Sequence, residues 1–397
     1  MRTTVPVAVR GAPFTSPTLR ILHVTKRFRP FPGGVERFVE DLAIGQAGRG
    51  HDVHVLTIDR DMVGGAEEVQ PRHERFGGLE IHRVPAIGGK RKQLAIGGYE
   101  RILRHLRDAD VVHHHDPRFL FETALAVRRM VGRPLLFHTH GLIWHTSKYR
   151  WLKHVAMRRY YGPVMRRMVD IIIADSENDV ALLAETAGLS GGPVRLLPNA
   201  INLDRFAAIR ARAEPGLILV FGRIDRHKGL DRLLRVLRGV DGEWRLVVAG
   251  TGDPDLLGEL AVEAGRLGIG DRITWAGRIS DDELDDLLGR AALVAFPSRF
   301  EGFGLALLEA IAAGRPVLAS DLPTHREILG PGLPSRIVSF EPGDRETAAA
   351  IGTALGLSSD DAMALGAVER QRAAAFGFEE YLDAIDAIYR ELDLLPA

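Results

Sequence analysis

Apolar positions along the chain fall into two alternating rhythms. Short β-branched runs, LRILHVT, HDVHVLTI, LEIHRVP, ADVVHHH, PLLFHTH, DIIIADS and VRLLPN, are separated by longer segments whose apolar residues recur with a helical period. After NLDRFAAIRARAEPG the pattern restarts with LILVFGRI, WRLVVAGTG, RITWAGR, ALVAFPS, RPVLASD and SRIVSF. Strands alternating with helices predict parallel sheets covered on both faces. The chain is therefore expected to form two doubly wound α/β units joined near residues 200–215. No repeat of roughly 20–50 residues and no low-complexity tract competes with this reading. From about Ala375, FGFEEYLDAIDAIYRELDLL reads as one amphipathic helix with Tyr381, Ile385, Ile388 and Leu392 on one face. The expected domains are residues 1–205 and 206–375, with a helix over about 376–397 that closes the second or packs back on the first.

Composition narrows the chemistry. The 397 residues, 46% hydrophobic, suffice for two ordinary cores. The absence of cysteine excludes disulfides, thiolate metal ligands and a cysteine nucleophile. The first twenty residues lack the apolar core of a signal peptide, and no window approaches the roughly 20 apolar residues of a membrane span. Residence in the cytoplasm is expected. The net charge is formally zero, yet residues 1–205 carry 31 Lys+Arg against 21 Asp+Glu, which leaves 52 − 31 = 21 against 52 − 21 = 31 for the remainder. That asymmetry suggests different partners for the two halves. Most of the positive charge is arginine, suited to bidentate phosphate or carboxylate contacts or simply the codon preference of a GC-rich genome.

Ligands of open parallel sheets bind beyond the carboxyl ends of the strands, and the unusual residues fall there. In RFEGFGLALLEAIAAGRP, Glu301 lies in the turn after the run ALVAFPS, Gly302 and Gly304 keep the backbone open, and a helix is expected from about Gly304. Leu305, Leu307, Leu308, Ile311 and Ala312 leave that helix no polar face, so Glu309 is expected to be enclosed, by a buried arginine or by the hydroxyls of a ribose. In VFGRIDRHKGL a strand runs into Gly222, followed by Arg223 and Lys228 ahead of a helix opened by Gly229. Two cations converging on a helix start make a diphosphate site without a metal. Gly33 and Gly34 precede a helix expected near Val35, where bare backbone can approach an anion or a sugar, or simply turn. No G-x-G-x-x-G follows a strand, so this is not a dinucleotide fingerprint.

LLFHTHGLIWH puts His138 and His140 on one face at a strand end, with His140 nearest the carboxyl edge. Bonding to a substrate hydroxyl, stabilising developing charge and serving as a satisfied core histidine are all open to it. In HHHD, His113 to Asp116, strand alternation turns His114 away from His113 and His115, so no metal is expected there. In SKYRWLKHVAMRRYYGPVMRRM, Trp151, Leu152 and Val155 share a side among Lys148, Arg150, Lys153, Arg158 and Arg159. With GKRKQ at Gly89 to Gln93, this segment either rests on an anionic membrane surface or packs its apolar side into the core.

Together these stretches resemble the retaining GT-B glycosyltransferases of family 4, over roughly Leu19 to Leu394. Glu301 and Glu309, 309 − 301 = 8 positions apart, are similar to that family's E-x7-E motif, and GGVERF, GRGHDVHVLT, LPNAINLDRF, GRIDRHKG, AGTGDP, WAGRISDDEL and SDLPTHREIL match in order. The resemblance implies two Rossmann-like parallel-sheet domains facing a central cleft, the first binding the acceptor and the second the nucleotide-sugar donor. It implies transfer of a hexosyl group from a nucleotide diphosphate sugar to a hydroxyl, with retention, in cell-envelope, polysaccharide or glycolipid synthesis. A soluble enzyme making small glycosides or sugar phosphates, and a GT-B-like nucleotide-sugar epimerase, are the alternatives. Carried over by position, Arg223 and Lys228 hold the diphosphate, Glu309 the ribose, and Glu301 with the backbone N–H groups of Phe303 and Gly304 the sugar hydroxyls. His140 contacts the sugar near the reacting carbon, with His138 as second candidate. Gly33 and Gly34 approach the donor phosphate or the acceptor, and Gly277 and Arg278 lie near the base. The implied partners are the donor and a glycan or lipid-linked acceptor, with peripheral contact at the inner face of the plasma membrane. Neither a cofactor, a metal nor a nucleic acid is expected.

Overall fold

The computed structural model describes residues 18–31, 33–63, 66–87, 94–95, 99–115, 120–141, 150–331, 337–341 and 343–396. The chain divides into two compact units: one runs to Ala200 and resumes at Phe378, and the other spans Ile201–Gly377.

The sheet of the first unit contains β1 (Arg20–Val24), β2 (Asp52–Ile58), β3 (His73–Phe76), β4 (Leu79–Val84), β5 (Val111–His114), β6 (Leu135–His138), β7 (Ile171–Ala174) and β8 (Val194–Leu196). Their order is β8-β7-β6-β5-β1-β2-β4-β3. Every neighbouring pair is parallel except β3 with β4. That antiparallel edge departs from the all-parallel sheet expected from the pattern. Its signal is the Gly-Gly of RFGGLE: Gly77 and Gly78 have φ 58° and 83°, the two positive values a type I′ hairpin requires.

Alternation gives this sheet two unlike faces. Leu22, Val112, Phe137 and Ile172 point into one apolar core, whereas His23, His113 and His138, on the opposite face, are each at most 1% exposed. Two helices supply their partners, Gly34–Gly48 and Phe378–Glu391. The C-terminal helix buries Tyr381, Leu382, Ile385, Ile388 and Tyr389. It is held by Arg49, whose Nη1 donates to Asp386 at 2.6 Å. It comes close because Gly45 has no side chain: a Cβ there would lie 2.7 Å from Leu382 Cδ1.

The second unit is simpler. Strands β9 (Leu217–Phe221), β10 (Arg245–Ala249), β11 (Ile273–Gly277), β12 (Leu293–Phe296), β13 (Val317–Ser320) and β14 (Ile337–Val338) form one sheet in the order β11-β10-β9-β12-β13-β14. All are parallel, as buried β-branched runs predict.

The basic segment forms helix Arg150–Ala156, a π-helical stretch Met157–Tyr161 and helix Gly162–Met168. Its apolar side does not enter the core: Trp151, Leu152 and Val155 are 71%, 50% and 49% exposed. Arg158 and Arg159 are exposed beside them. Lys148, Gly89 to Gln93 and Asp116 lie outside the described residues.

Candidate active site

In the second unit the site grows from the exits of β9, β12 and β13. After β9 the chain makes a single 3-10 turn, Arg226–Lys228, capped by Asp225. One Asp225 oxygen accepts from the N–H of His227 at 2.8 Å and of Lys228 at 3.3 Å, and the other from Arg223 Nε at 3.1 Å. A single carboxylate thus organises both cations of the expected diphosphate site. Gly229 then turns the chain with φ 65°, and a Cβ there would lie 2.1 Å from Pro297 O. That close approach brings Lys228 against the exit of β12.

There Lys228 Nζ donates to both oxygens of Glu301, at 2.8 and 2.9 Å, and Ser298 Oγ donates to Glu301 Oε1 at 2.6 Å. The Glu301 side chain is 11% exposed and that of Lys228 27%. Burial pushes the Glu301 carboxyl up, but the charge of Lys228, that of His325 and the bonds from Lys228 and Ser298 outweigh it, so the acid sits below its ordinary pKa. Arg223 is 77% exposed. Gly277 is half-buried and Arg278 exposed at the exit of β11. Phe303 is buried and packs edge-on to Phe376. Gly304, φ 112°, caps helix Leu305–Ala312.

Glu309 differs from the reading of a helix buried all round. Leu307, Leu308, Ala310, Ile311 and Ala312 are buried, but Leu305, Ala306 and Glu309 are only half-buried. Leu305 and Glu309 share a helix face through i, i+4 spacing, so small apolar residues on that side hid an accessible stripe.

His325 was not singled out in the sequence. It stands in the first turn of helix Pro323–Leu329 and is fully buried, donating from Nδ1 to Ser320 O at 2.9 Å. Among the described residues its Nε2 has no hydrogen-bond partner. A Cβ on Gly304 would be 4.0 Å from that nitrogen. Burial lowers its pKa more than Glu301 raises it, so near neutrality Nε2 presents a lone pair. The only hint was a histidine five residues past the end of β13, in SDLPTHREIL.

In the first unit Gly33 and Gly34 are exposed where helix Gly34–Gly48 begins. His138 ends β6, 1% exposed, with Nε2 2.8 Å from Asp175 Oδ1. His140 follows with φ 46°, a left-handed conformation that a non-glycine residue rarely adopts and that clusters at functional sites. Its ring is 5% exposed, Nδ1 3.8 Å from Asp175 Oδ2 and Nε2 2.8 Å from His115 Nδ1. Asp175 is fully buried and accepts from Asn199 at 2.9 Å. Burial raises its pKa to about 6, against the opposing pull of His140 and Asn199.

The HHHD run is split as alternation requires: His113 and His115 face His23, and His114 lies beside Phe137. The third imidazole comes from β1, which spacing within one strand could not reveal. His23, His113 and His115 each place a nitrogen within 4.8 Å of the others, as do His115, His138 and His140. Burial lowers the pKa of His23 to about 4 and of His138 to about 3, and holds His113 and His115 well below the ordinary value.

Comparison with known proteins covers both units. The model described as Glycosyltransferase Family 4 matches residues 32–205, and that described as Glycosyl transferases group 1 matches residues 204–366. The chain is 31% identical to a GDP-mannose:cellobiosyl-diphosphopolyprenol alpha-mannosyltransferase of Komagataeibacter xylinus over 83% of each chain. It is 29% identical to a phosphatidyl-myo-inositol mannosyltransferase of Mycobacterium tuberculosis, over 80% of this chain and 82% of that one. In fold it is similar to Anabaena HepE in complex with UDP and glucose, with a TM-score of 0.74 and 18% identity over 94% of this chain and 100% of that one.

Proposed function

The chain belongs to the retaining glycosyltransferase family 4 and has the GT-B fold, and from that premise we propose that it transfers a hexosyl group from a nucleoside diphosphate hexose to a hydroxyl of a lipid-carried glycan. GDP-mannose is the donor of choice, because mannosyl transfer is named for both relatives.

The observation that carries the reading is the Lys228, Glu301 and Ser298 cluster beside Arg223. An ammonium has three donors. With two aimed at Glu301, one is left for a phosphate oxygen, while Arg223 offers an exposed guanidinium from the same capped turn. As the bond from the anomeric carbon to phosphate breaks, the acceptor oxygen bonds that carbon from the same face, and its proton passes to the departing phosphate oxygen. Lys228 and Arg223 take up the charge arising on that phosphate, the kind of fixed electrostatic help that contributes most to such reactions. Glu301 and the N–H groups of Phe303 and Gly304 orient the sugar hydroxyls, and Glu309 the ribose diol. Gly277 and Arg278 lie toward the base, Gly33 and Gly34 toward phosphate or acceptor, and His140 meets the sugar.

The exposed Trp151, Leu152 and Val155 with Arg158 and Arg159 favour an acceptor held at an anionic membrane surface. Among the described residues no helix is long and apolar enough to cross a membrane. Thermal shift with GDP, UDP, ADP and their sugars, then turnover on a lipid-diphosphate disaccharide, tests the proposal. Stabilisation by GDP and GDP-mannose and mannosyl transfer are expected. Transfer only to small soluble acceptors, with no flotation on anionic vesicles, would overturn the lipid reading.

A further inference from the structure

One line of buried groups in the first unit is not used by the transfer chemistry itself. Gln46 Oε1 is 2.7 Å from His23 Nε2, His23 Nδ1 is 2.9 Å from His115 Nε2, and His115 Nδ1 is 2.8 Å from His140 Nε2. Gln46 and His23 are 0% exposed and His115 3%. At its other end Gln46 donates from Nε2 to the Tyr389 hydroxyl at 2.8 Å, and that hydroxyl lies 3.0 Å from His113 Nε2.

Burial keeps His23 and His115 neutral at neutral pH, and a neutral imidazole has one N–H and one lone pair. In a file of such rings the hydrogens must all point the same way. The Gln46 amide nitrogen is committed to Tyr389, so its oxygen faces His23 and His23 carries its hydrogen on Nε2. His23 Nδ1 is then an acceptor, so His115 carries its hydrogen on Nε2. His115 Nδ1 is in turn an acceptor, so the hydrogen between the last two rings belongs to His140 Nε2.

We propose that Gln46, His23 and His115 are positioning residues that set the tautomer and ring orientation of His140, with Gln46 choosing the sense of the whole file. The proposal rests on the reading of His140 as the histidine that meets the sugar. Its second ring nitrogen, Nδ1, is the one directed to Asp175, 3.8 Å away, so with the hydrogen held on Nε2 the file leaves the neutral ring's lone pair on the side of that carboxyl. A metal is the competing occupant of these nitrogens. Two nitrogens on a tetrahedral zinc, with bonds of about 2.0–2.1 Å, stand roughly 3.3 Å apart, whereas the facing pairs here are at hydrogen-bond separations of 2.9 and 2.8 Å.

The test is 15N-histidine NMR of the full chain. His23, His115 and His140 are each expected to carry hydrogen on Nε2; mixed tautomers among them would overturn the proposal without any variant. Stoichiometric Zn2+ that moves His23 and His115 to metal-bound shifts would overturn it too. Gln46→Met removes the acceptor, and Gln46→Glu keeps one. The Met variant is expected to mix the His140 tautomers and lower kcat on the order of tenfold to a hundredfold with donor KM unchanged, and the Glu variant to preserve both. A Met variant with mixed tautomers and full kcat would refute the link to turnover. Full turnover in His140→Ala would instead refute the role of His140, while the wild-type tautomers would still report on the file.

Discussion

Replacing Lys228 by methionine keeps the aliphatic stem and removes the ammonium that neutralises Glu301. The carboxylate, 11% exposed, would retain Ser298 Oγ at 2.6 Å as its donor. At pH 7.5 the variant must hold a nearly bare anion or take up a proton, and proton uptake sets the ceiling. From the ordinary value of 4.5 that ceiling is about 1.4 kcal/mol per pH unit over 7.5 − 4.5 = 3 units, about 4 kcal/mol. The hydrogen bond from Ser298 and partial solvent access at Lys228 bring the expected loss to about 2–4 kcal/mol. At pH 5 the ceiling is below about 1 kcal/mol. The sign follows from the wild type: Glu301 is depressed, so its contribution is present above the unfolded pKa and lost as pH falls through the folded one. For a unit the size of Ile201–Gly377, about 2–4 °C per kcal/mol predicts a Tm lowered by roughly 5–15 °C at pH 7.5 and a few degrees at pH 5. Calorimetry of both proteins at both pH values measures this. Equal losses at pH 7.5 and pH 5 would refute the pair as the origin of the effect.

Arg223→Ala removes a side chain that is 77% exposed, so stability should change by less than about 0.5 kcal/mol while kcat falls on the order of a hundredfold or more in steady-state assays. Glu309→Gln, on a half-buried face, should weaken nucleotide binding by isothermal titration by about tenfold and leave Tm nearly unchanged. Acid should unfold the first unit before the second. Four histidines with depressed folded pKa values stabilise it fully above about pH 6.5, and that contribution is lost as pH falls toward the folded values, about 4 for His23 and about 3 for His138. Each costs about 1.4 kcal/mol per pH unit in that window. Asp175, raised to about 6, offsets about one of them between pH 6 and pH 4. Scanning calorimetry at pH 7.5, 6 and 5 should show two transitions separating, and a fixed separation would contradict the buried neutral histidines.

Residues whose role follows from backbone geometry were legible in the sequence. Gly304 opens its helix and Lys228 follows the exit of β9 because glycine position and strand ends are written in local pattern. Groups that act across elements were not. Asp225 looked like any loop acid until Arg223 Nε and the backbone N–H of Lys228 bonded to it, and Ser298 and His325 gain meaning only where the exits of β12 and β13 meet. The sharpest case is His23, one histidine in an apolar strand, whose partners lie 23 and 92 residues away. The helix that carries Glu309 was read as buried all round for a different reason: an apolar face reads as buried whether protein, ligand or solvent covers it.

The return of the last helix to the first unit makes the second unit an insertion in the first. During synthesis at about 5–20 residues per second, Gln46 and His113 must wait for Tyr389, 389 − 46 = 343 residues behind Gln46. For roughly 20 to 70 seconds at that rate, the nascent first unit lacks the cover of its polar interior, while Ile201–Gly377 can fold as soon as it emerges. The order of completion is therefore the reverse of the order of translation, and a chain cut short before Phe378 would damage the amino-terminal unit rather than the one beside it in sequence.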